Sequence, residues 1–401
     1  MVTIYAQTLK GFRDFEPEKA RKRQYVIIRL RSVFESYGFE PLETPALEYE
    51  EVLLGKYGDE GDKLMYRFED YGKRRVALRY DQTVPLARYL GQNYQTITFP
   101  FKRYQIQSVW RAENTQKGRY REFLQCDIDT VGSGKEMADA EIIALVADCY
   151  KALGFKKIKV LLNDKAVFEK VPAAAVLILD KLKKIGAEQV KEELKKKGFD
   201  ESILEQIKVK KPTVSLQTVI LLAEKLGVDR SSLIFEPTLA RGLDYYTGMI
   251  IEVEAEGYIA GALGGGGRYD NLIGTFVAKQ VPAVGFAFGF DRIIEAMEEQ
   301  KLFPEELNES STRVLVTVFP EYQQQSAKLV SKLRNAGVNT ELYLEEAKLE
   351  KQLKYADRKK ILYAVVVGPD EVKGNVVTVK NMKTGKQEKL SQEQLINQLT
   401  K

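Results

Sequence analysis

The chain has 401 residues, of which 44% are hydrophobic and 30% are charged, and its formal net charge is +5. It contains no histidine, which excludes serine and cysteine nucleophiles activated by imidazole, zinc sites with histidine ligands and histidine proton shuttles. Any catalysis must therefore depend on arginine, lysine, carboxylates, glutamine, tyrosine and backbone amides, in a chain long enough for two or three domains.

The first part of the chain predicts a helix followed by a β-rich body. Apolar residues recur at three- and four-residue steps over residues 17–38, which predicts a helix. Residues 39–47 are strand-like. Between residues 75 and 125, short β-rich segments broken by Gly and Pro, such as 76–79 and 104–106, predict an antiparallel sheet.

A helical region then interrupts the β-rich pattern. Residues 136–153 predict a helix and residues 158–163 a strand. From residue 165 to residue 229 the chain is rich in Lys and Glu, with apolar positions at helical spacing, which predicts a helical insertion. The β-rich pattern returns at residues 233–256 and 281–289.

The carboxyl-terminal region differs from the rest in pattern and in charge. Residues 313–401 contain 16 Lys and Arg against 10 Asp and Glu, a net charge of +6, so the remainder of the chain carries −1. This asymmetry favours a domain that contacts a polyanion, although a solvated lysine-rich surface would also show it. Strands at 314–318, 340–343 and 363–367 alternate with a helix at 322–336 and a helix ending at Ala356, which predicts a small α/β domain with a mostly parallel sheet.

The cysteines and the amino terminus bear on location. Cys126 and Cys149 form neither a CxxC pair nor a zinc-ligand spacing, so we expect no disulfide framework and no protein-bound metal. Residues 1–15 are polar and charged, and no apolar stretch approaches about 18 residues. We therefore expect a reduced, soluble, cytoplasmic protein with no membrane partner.

Arginine is the candidate phosphate ligand. Residues 132–136 resemble a phosphate loop but lack its first glycine and the Ser or Thr after lysine, so a helix N-terminal turn is the better interpretation. Residues 111–125 predict a hairpin in which Arg111 and Arg121 can converge on an anion, with the ring of Phe123 on the face of Arg121. An anion beside an aromatic ring suits a nucleotide; the alternative is a solvent-exposed charged hairpin.

Two further segments combine glycine with arginine, tyrosine and aspartate. Residues 241–248 form one of them and residues 264–270 the other, which begins with four consecutive glycines; such a run is costly in a strand and indicates unusual dihedral angles or close approach to a ligand. A flexible hairpin is the alternative. Residues 285–292 predict a glycine-spaced apolar strand with an arginine at the following helix start, where backbone amides favour phosphate; a core strand would look the same.

Together these segments resemble the motifs of class II aminoacyl-tRNA synthetases, and nearly the whole chain resembles the histidyl-tRNA synthetase family. Residues 38–45 resemble the first class motif, whose proline lies at the dimer interface, residues 111–125 the second and residues 285–292 the third. Residues 241–248 and 265–270 resemble the two signature segments peculiar to the histidyl enzymes, and that pair is much more specific than the class motifs.

The resemblance implies an α+β fold and a reaction. Expected are a catalytic domain with an antiparallel six-stranded sheet (residues 1–164 and 233–310), a helical insertion (165–232) and an α/β anticodon-binding domain (313–401). The implied reaction is ATP-dependent ligation of L-histidine to tRNA(His) through a histidyl-adenylate, with ATP as substrate accompanied by Mg²⁺, in a homodimer. Such chemistry needs positioning and charge neutralisation more than proton transfer, so an enzyme without histidine can perform it.

The resemblance also assigns residues to the nucleotide. It places Arg111 at the α-phosphate and the substrate carboxylate. It places Arg241 at the α-phosphate, where other class II enzymes hold a metal ion, and these two are the candidate catalytic residues. The other implied nucleotide contacts are Glu113, Arg119 and Arg121, with Phe123 stacked on adenine and Arg292 at the γ-phosphate.

A second set is implied for histidine and tRNA. The amino group of histidine is expected near Asp81, Thr83 and Gln125, and Tyr245 is a further candidate for histidine binding. Gln116 matches a position that contacts the extra guanosine at the 5′ end of the tRNA. The expected imidazole pocket consists of Asp129, Tyr246 and Tyr269.

Two alternative functions, neither of them catalytic, stay open. One is a regulatory paralogue that shares the catalytic fold and activates the first enzyme of histidine biosynthesis. Such proteins usually lack the anticodon-binding domain and have degraded histidyl signatures, whereas both are intact here. The other is a tRNA-binding or stress-sensing module without catalysis, which the complete set of arginines disfavours.

Overall fold

The computed structural model describes residues 5–55, 62–114, 120–241 and 246–400. The chain divides into two compact units, residues 1–14 with 23–302 and residues 15–22 with 303–401. Among the helices that are described, none is both long enough and apolar enough to cross a membrane.

The first unit is built on an eight-stranded sheet. Its strands are β1 (Glu40–Pro41), β5 (Phe101–Trp110), β6 (Glu122–Val131), β7 (Ile158–Asp164), β8 (Leu233–Phe235), β9 (Met249–Ala255), β10 (Gly264–Arg268) and β11 (Ala283–Phe288). The six central strands, in the order β5-β6-β11-β10-β9-β7, are all antiparallel, which confirms the expected sheet. At the two edges β1 pairs in parallel with β5 and β8 with β7.

Helices cover this sheet through apolar side chains. Helix α1 (Pro17–Ser36) buries Phe34, whose ring centroid lies 5.5 Å from that of Phe288 on β11. Helix α4 (Glu136–Ala152) buries Tyr150, whose ring lies 5.8 Å from Phe288, and the segment 132–136 is the turn into this helix, as expected. The other helices outside the insertion are α2 (Glu50–Leu53), α3 (Thr83–Asn93), α9 (Gly274–Val277) and α10 (Phe290–Glu299).

Residues 76–79 belong to a second, smaller sheet. Strand β4 (Arg75–Leu78) pairs with β2 (Leu47–Tyr49) and β3 (Arg67–Glu69), all antiparallel. The single sheet expected for residues 75–125 is therefore divided, with α3 between the two parts. Local β-propensity predicts a strand but does not determine which strand it pairs with.

Residues 165–232 contain four α-helices, of which the first three share a hydrophobic core and the fourth packs against α4. They are α5 (Ala173–Leu179), α6 (Leu182–Lys196), α7 (Ile203–Lys208) and α8 (Val214–Lys225). Most of the apolar positions at helical spacing face inward, as periodicity predicts, but Leu226 is 43% exposed. Fully buried members of this cluster are Leu179, Val190, Leu194 and Leu204.

The second unit is a five-stranded sheet with helices. Its strands are β12 (Val314–Val316), β13 (Thr340–Leu342), β14 (Tyr363–Val366), β15 (Val377–Asn381) and β16 (Gln387–Leu390), and its helices are α11 (Gln323–Asn335), α12 (Leu349–Arg358), α13 (Pro369–Gly374) and α14 (Gln392–Thr400). Strands β13, β12 and β14 are parallel, but β15 and β16 add two antiparallel pairs. The three predicted strands are therefore parallel as expected, but the sheet as a whole is mixed, because β15 and β16, which were not predicted from the sequence, form an antiparallel hairpin that needs no crossover helix.

Candidate active site

The β5–β6 hairpin aligns four candidate side chains. Its strands pair from Phe101 with Val131 to Trp110 with Glu122, which confirms the predicted hairpin. Successive side chains of a strand point to opposite faces, and Phe123, Gln125, Asp127 and Asp129 share one face. All four line cavities on that side of the sheet.

Arg111 lies where this hairpin meets the segment before α3. Its Nε donates to the carbonyl oxygen of Tyr80 at 3.1 Å. Its guanidinium carbon lies 4.4 Å from the ring centroid of Tyr80 and 5.1 Å from that of Phe123. Two rings and one carbonyl therefore hold the guanidinium in place, and cation–π contacts of this kind favour a fixed orientation.

The glycines of β10 and β11 make room for site residues. A Cβ atom at Gly265 would lie 1.4 Å from Nη1 of Arg241, and one at Gly285 would lie 2.0 Å from Oδ1 of Asp129. The groups that lie close to these glycines are the protein's own arginine and aspartate, so approach to a ligand stays a prediction. The side chains of Arg241 and Asp129 therefore occupy the space that side chains at Gly265 and Gly285 would need.

The first of two adjoining cavities has a volume of about 450 Å³. The structure brings Arg111, Glu113, Phe123 and Arg292 together there, with Arg241. Arg292 follows the start of α10 and donates through Nη1 to the carbonyl oxygen of Ala262 at 2.9 Å. We call this the nucleotide cavity, because it combines arginines, an aromatic ring and a helix start.

Not every predicted nucleotide contact reaches this cavity. Arg121 lines neither cavity; its Nε donates to the carbonyl oxygen of Glu113 at 3.1 Å. It lies just before β6, and its backbone carbonyl accepts a hydrogen bond from the amide of Arg111 at 2.9 Å. Three predicted residues, Gln116, Arg119 and Tyr245, lie outside the described residues.

The second cavity, of about 490 Å³, contains the residues predicted to bind the amino acid. Arg111, Gln125 and Arg241 line both cavities, so the two adjoin at these side chains. We call the second one the inner cavity. Its other predicted members are Asp81, Thr83, Asp129, Tyr246 and Tyr269.

Asp129 is the centre of a buried polar cluster. Its Oδ1 accepts a hydrogen bond from the hydroxyl of Tyr269, and its Oδ2 lies 2.7 Å from Nη2 of Arg103. Burial raises the pKa of Asp129 to about 6, and the charge of Arg103 opposes that rise. The cluster can hold a ring that offers one donor and one acceptor.

Sequence reasoning missed two members of this cluster. Arg103, fully buried, pairs in register with Asp129 across the β5–β6 ladder. Asp127 is 3% exposed and lines the inner cavity. Burial raises its pKa to about 8, again opposed by Arg103. The available sequence signal is weak, because Arg103 and Asp127 lie in strands that contain several other polar residues.

A second polar network supports the two tyrosines. Thr247, next to Tyr246, donates its hydroxyl to Oδ2 of Asp270 at 3.0 Å. Arg268, next to Tyr269, pairs with Asp139 of α4 at 2.8 Å and with Asp270 at 3.2 Å. These bonds connect the segments before β9 and after β10 to α4. The backbone at Tyr246 and at Tyr269 is therefore held in place.

The six-stranded antiparallel sheet and its arginine-lined cavities define a class II aminoacyl-tRNA synthetase. The family model of histidyl-tRNA synthetase matches residues 11–216 and 178–293, and that of the anticodon-binding domain matches residues 313–401. This chain belongs to the histidyl-tRNA synthetase family.

Individual relatives agree with the family assignment. The chain is 42% identical to a histidine--tRNA ligase of Cytophaga hutchinsonii, with 97% of this chain and 98% of that protein covered. It is 39% identical to one of Christiangramia forsetii, with 95% and 96% covered. A crystal structure of histidyl-tRNA synthetase from Nostoc sp. PCC 7120 superposes with a TM-score of 0.85, at 30% identity and 99% of each chain.

Proposed function

We propose that this protein ligates L-histidine to tRNA(His) in two steps, with histidyl-adenylate as the intermediate. The observation that carries the proposal is the junction of the two cavities at Arg111 and Arg241. A nucleotide in one cavity and an amino acid in the other would bring the α-phosphate and the carboxylate together between these guanidiniums. Family membership supports the same conclusion.

In the first step a carboxylate oxygen of histidine attacks the α-phosphorus, and the bond to pyrophosphate breaks. The nucleophile is already ionised, so no base is required. Arg111 and Arg241 stabilise the charge that develops on the α-phosphate. Phe123 stacks on adenine, and Arg292 holds the γ-phosphate.

In the second step the terminal ribose hydroxyl of the tRNA attacks the histidyl carbonyl carbon, and AMP leaves. A phosphate oxygen of the adenylate accepts the ribose proton. The protein therefore supplies orientation and positive charge, and none of the proposed roles requires a histidine of its own.

Selection of histidine depends on the inner cavity. Asp129 and the phenols of Tyr246 and Tyr269 pair with the two ring nitrogens of the substrate. A wrong amino acid would leave these buried polar groups without partners, which costs about 1–3 kcal/mol for each.

The nucleotide cavity also has carboxylates suited to Mg²⁺. Glu113 and Glu252 line it, and Mg²⁺ commonly takes one or two carboxylates together with substrate phosphates. In the described ranges no group of three or more acidic or cysteine side chains forms a metal cage of its own. When bound with ATP, the ion would neutralise phosphate charge, and Glu113 would hold it. Arg121 supports Glu113 through the carbonyl contact described above.

Further parts of the proposal concern assembly and tRNA. We assign residues 1–164 and 233–310 to catalysis, residues 165–232 to a helical insertion and residues 313–401 to the anticodon. The first class motif, residues 38–45, supports a homodimer. Gln116 would contact the 5′ guanosine and Arg119 the nucleotide. Both cysteines are buried free thiols, which supports a cytoplasmic location.

Pyrophosphate exchange tests the proposal. We expect labelled pyrophosphate to enter ATP only when L-histidine is present, and transfer RNA to become charged with histidine. Arg111→Ala should abolish exchange, and Glu201→Gln, at an exposed position of the helical insertion, serves as the control. Folded protein without histidine-dependent exchange would contradict the proposal and favour the regulatory paralogue.

A further inference from the structure

We propose that Asp127 binds the α-ammonium group of the amino-acid substrate through Oδ1 and is a specificity-determining residue. The inference rests on the proposed function and extends it to a residue that the family resemblance does not assign. Its evidence is one unpaired oxygen, the charge of the inner cavity and the order of side chains along β6.

The carboxylate of Asp127 is only half satisfied. Its Oδ2 accepts a hydrogen bond from Nε2 of Gln125 at 2.9 Å. Its Oδ1 is buried and has no hydrogen-bond partner within the described parts of the chain. Buried acceptors without a donor are rare because each carries a desolvation penalty, so a donor from a ligand in the inner cavity is the natural partner.

The charge of the inner cavity favours a cation at this end. Four carboxylates line it: Asp180 interacts electrostatically with Arg241, whereas Asp81, Asp127 and Asp129 form an acidic group in which Arg103 makes its ion pair with Asp129. The two arginines that line both cavities lie at the opposite end, at the junction with the nucleotide cavity. An amino acid with its carboxylate at that junction would direct its ammonium group toward the acidic end.

The order of side chains along β6 locates the ammonium more closely. Phe123 lines the nucleotide cavity, Gln125 lines both cavities, and Asp127 and Asp129 line only the inner one. Alternate residues of a strand are about 6.8 Å apart. With the imidazole ring at Asp129 and the carboxylate at Arg111, the ammonium group lies between them, beside Asp127.

Proton linkage provides an independent readout. Burial raises the pKa of Asp127 to about 8, with Arg103 opposing and Asp129 and Asp81 adding to the rise. An ammonium group favours the ionised carboxylate, so binding of histidine near neutral pH should release a proton from this side chain. A contact to an uncharged group would release none.

The test compares ligands with and without the amino group. Asp127→Asn keeps the shape of the side chain and removes its charge. Glu122→Gln on the same strand removes the same charge from the opposite face and serves as the matched control. Dissociation constants for L-histidine, L-histidinol and 3-(imidazol-4-yl)propionate are measured by calorimetry for the wild-type protein and both variants, in two buffers of different ionisation enthalpy.

We expect Asp127→Asn to raise the dissociation constants of L-histidine and L-histidinol about tenfold or more. The dissociation constant of the analogue without an amino group should change less than about twofold. The proton released by the wild-type protein should be lost in this variant and retained in Glu122→Gln. Equal weakening of all three ligands, or unchanged binding of histidine, would overturn the inference. If the analogue binds too weakly to measure, the proton released on histidine binding is compared between the wild-type protein and Asp127→Asn. An unchanged release in Asp127→Asn would then overturn the inference. Wild-type protein without histidine-dependent pyrophosphate exchange would instead contradict the proposed function.

Discussion

Tyr269 donates its hydroxyl hydrogen to Oδ1 of Asp129, although the two residues are 140 positions apart in the chain. Both side chains are almost completely buried, at 3% and 4% exposure. The carboxylate is thereby oriented before any ligand arrives, and its orientation depends on the pairing of β6 and β10 with β11.

Tyr269→Phe removes this donor and leaves a buried acceptor. We expect the KM for histidine in pyrophosphate exchange to rise about tenfold to 100-fold, corresponding to about 1–3 kcal/mol, with a smaller change in kcat. Tyr258→Phe is the matched control, because the Tyr258 hydroxyl donates to Glu295 at 2.9 Å and lines neither cavity. An unchanged KM for Tyr269→Phe would mean that this hydroxyl does not shape the pocket.

The guanidinium of Arg241 occupies the space beside Gly265 where a side chain would lie. Because a Cβ atom at Gly265 would overlap the guanidinium, Gly265→Ala should displace Arg241 and lower the rate of pyrophosphate exchange about 100-fold, the loss typical for one transition-state donor. Gly134→Ala is the control, since a Cβ atom there meets Pro282 at an ordinary 3.7 Å. Thermal unfolding separates this local effect from loss of the fold, and full activity of a folded Gly265→Ala variant would contradict the assignment.

Arg241→Ala should separate activation from tRNA binding. We expect loss of pyrophosphate exchange, because the α-phosphate loses one of its two guanidiniums, while the affinity for tRNA measured by filter binding changes little. Arg74→Ala, at an exposed position of the first unit that lines neither cavity, serves as the comparison for charge removal outside the site. Equal loss of exchange and of tRNA affinity in Arg241→Ala would show that its place in the site is wrong.

Buried carboxyls make stability depend on pH. The pKa of Asp127 is raised to about 8 and that of Asp129 to about 6, in each case by burial and against the charge of Arg103. Since an unfolded Asp has a pKa of about 3.9, the folded state binds more protons than the unfolded state between about pH 4 and pH 8. The free energy of unfolding should therefore fall as pH rises through that window.

Urea unfolding between about pH 5 and pH 8 checks this prediction. Asp127→Asn should flatten the upper part of the decline, because an amide does not titrate, and the exposed Glu201→Gln should leave it unchanged. The groups that face Asp127 are Arg103, Asp129 and Asp81. Since the chain has no histidine, no imidazole titrates in this window. A free energy of unfolding that rises with pH in the wild-type protein but not in Asp127→Asn would contradict the predicted pH dependence.

Much of the site follows from local pattern. The alternation of side chains along residues 122–131 places Phe123, Gln125 and Asp129 on one face, whatever the strand pairs with. The glycine run at 264–267 indicates close approach, and the turn into α4 follows from residues 132–136. These features depend on neighbours in the chain, so the sequence is sufficient to predict them.

Other features required the tertiary structure. Arg103 meets Asp129 through the register of the β5–β6 ladder, and Arg241 lies over Gly265, which belongs to a different segment of the chain. The side chain of Arg121 donates to the carbonyl oxygen of Glu113, a contact that side-chain alternation along the strand does not predict.

The sequence by itself determined that no histidine of the protein acts in catalysis. It also predicted that arginines and carboxylates are the main charged groups of the site. The tertiary structure decided which arginine neutralises which carboxylate and which oxygen of Asp127 stays free for a ligand. The physical reason is that side-chain direction along a strand is local, whereas strand partner, register and burial arise only when distant segments pack together.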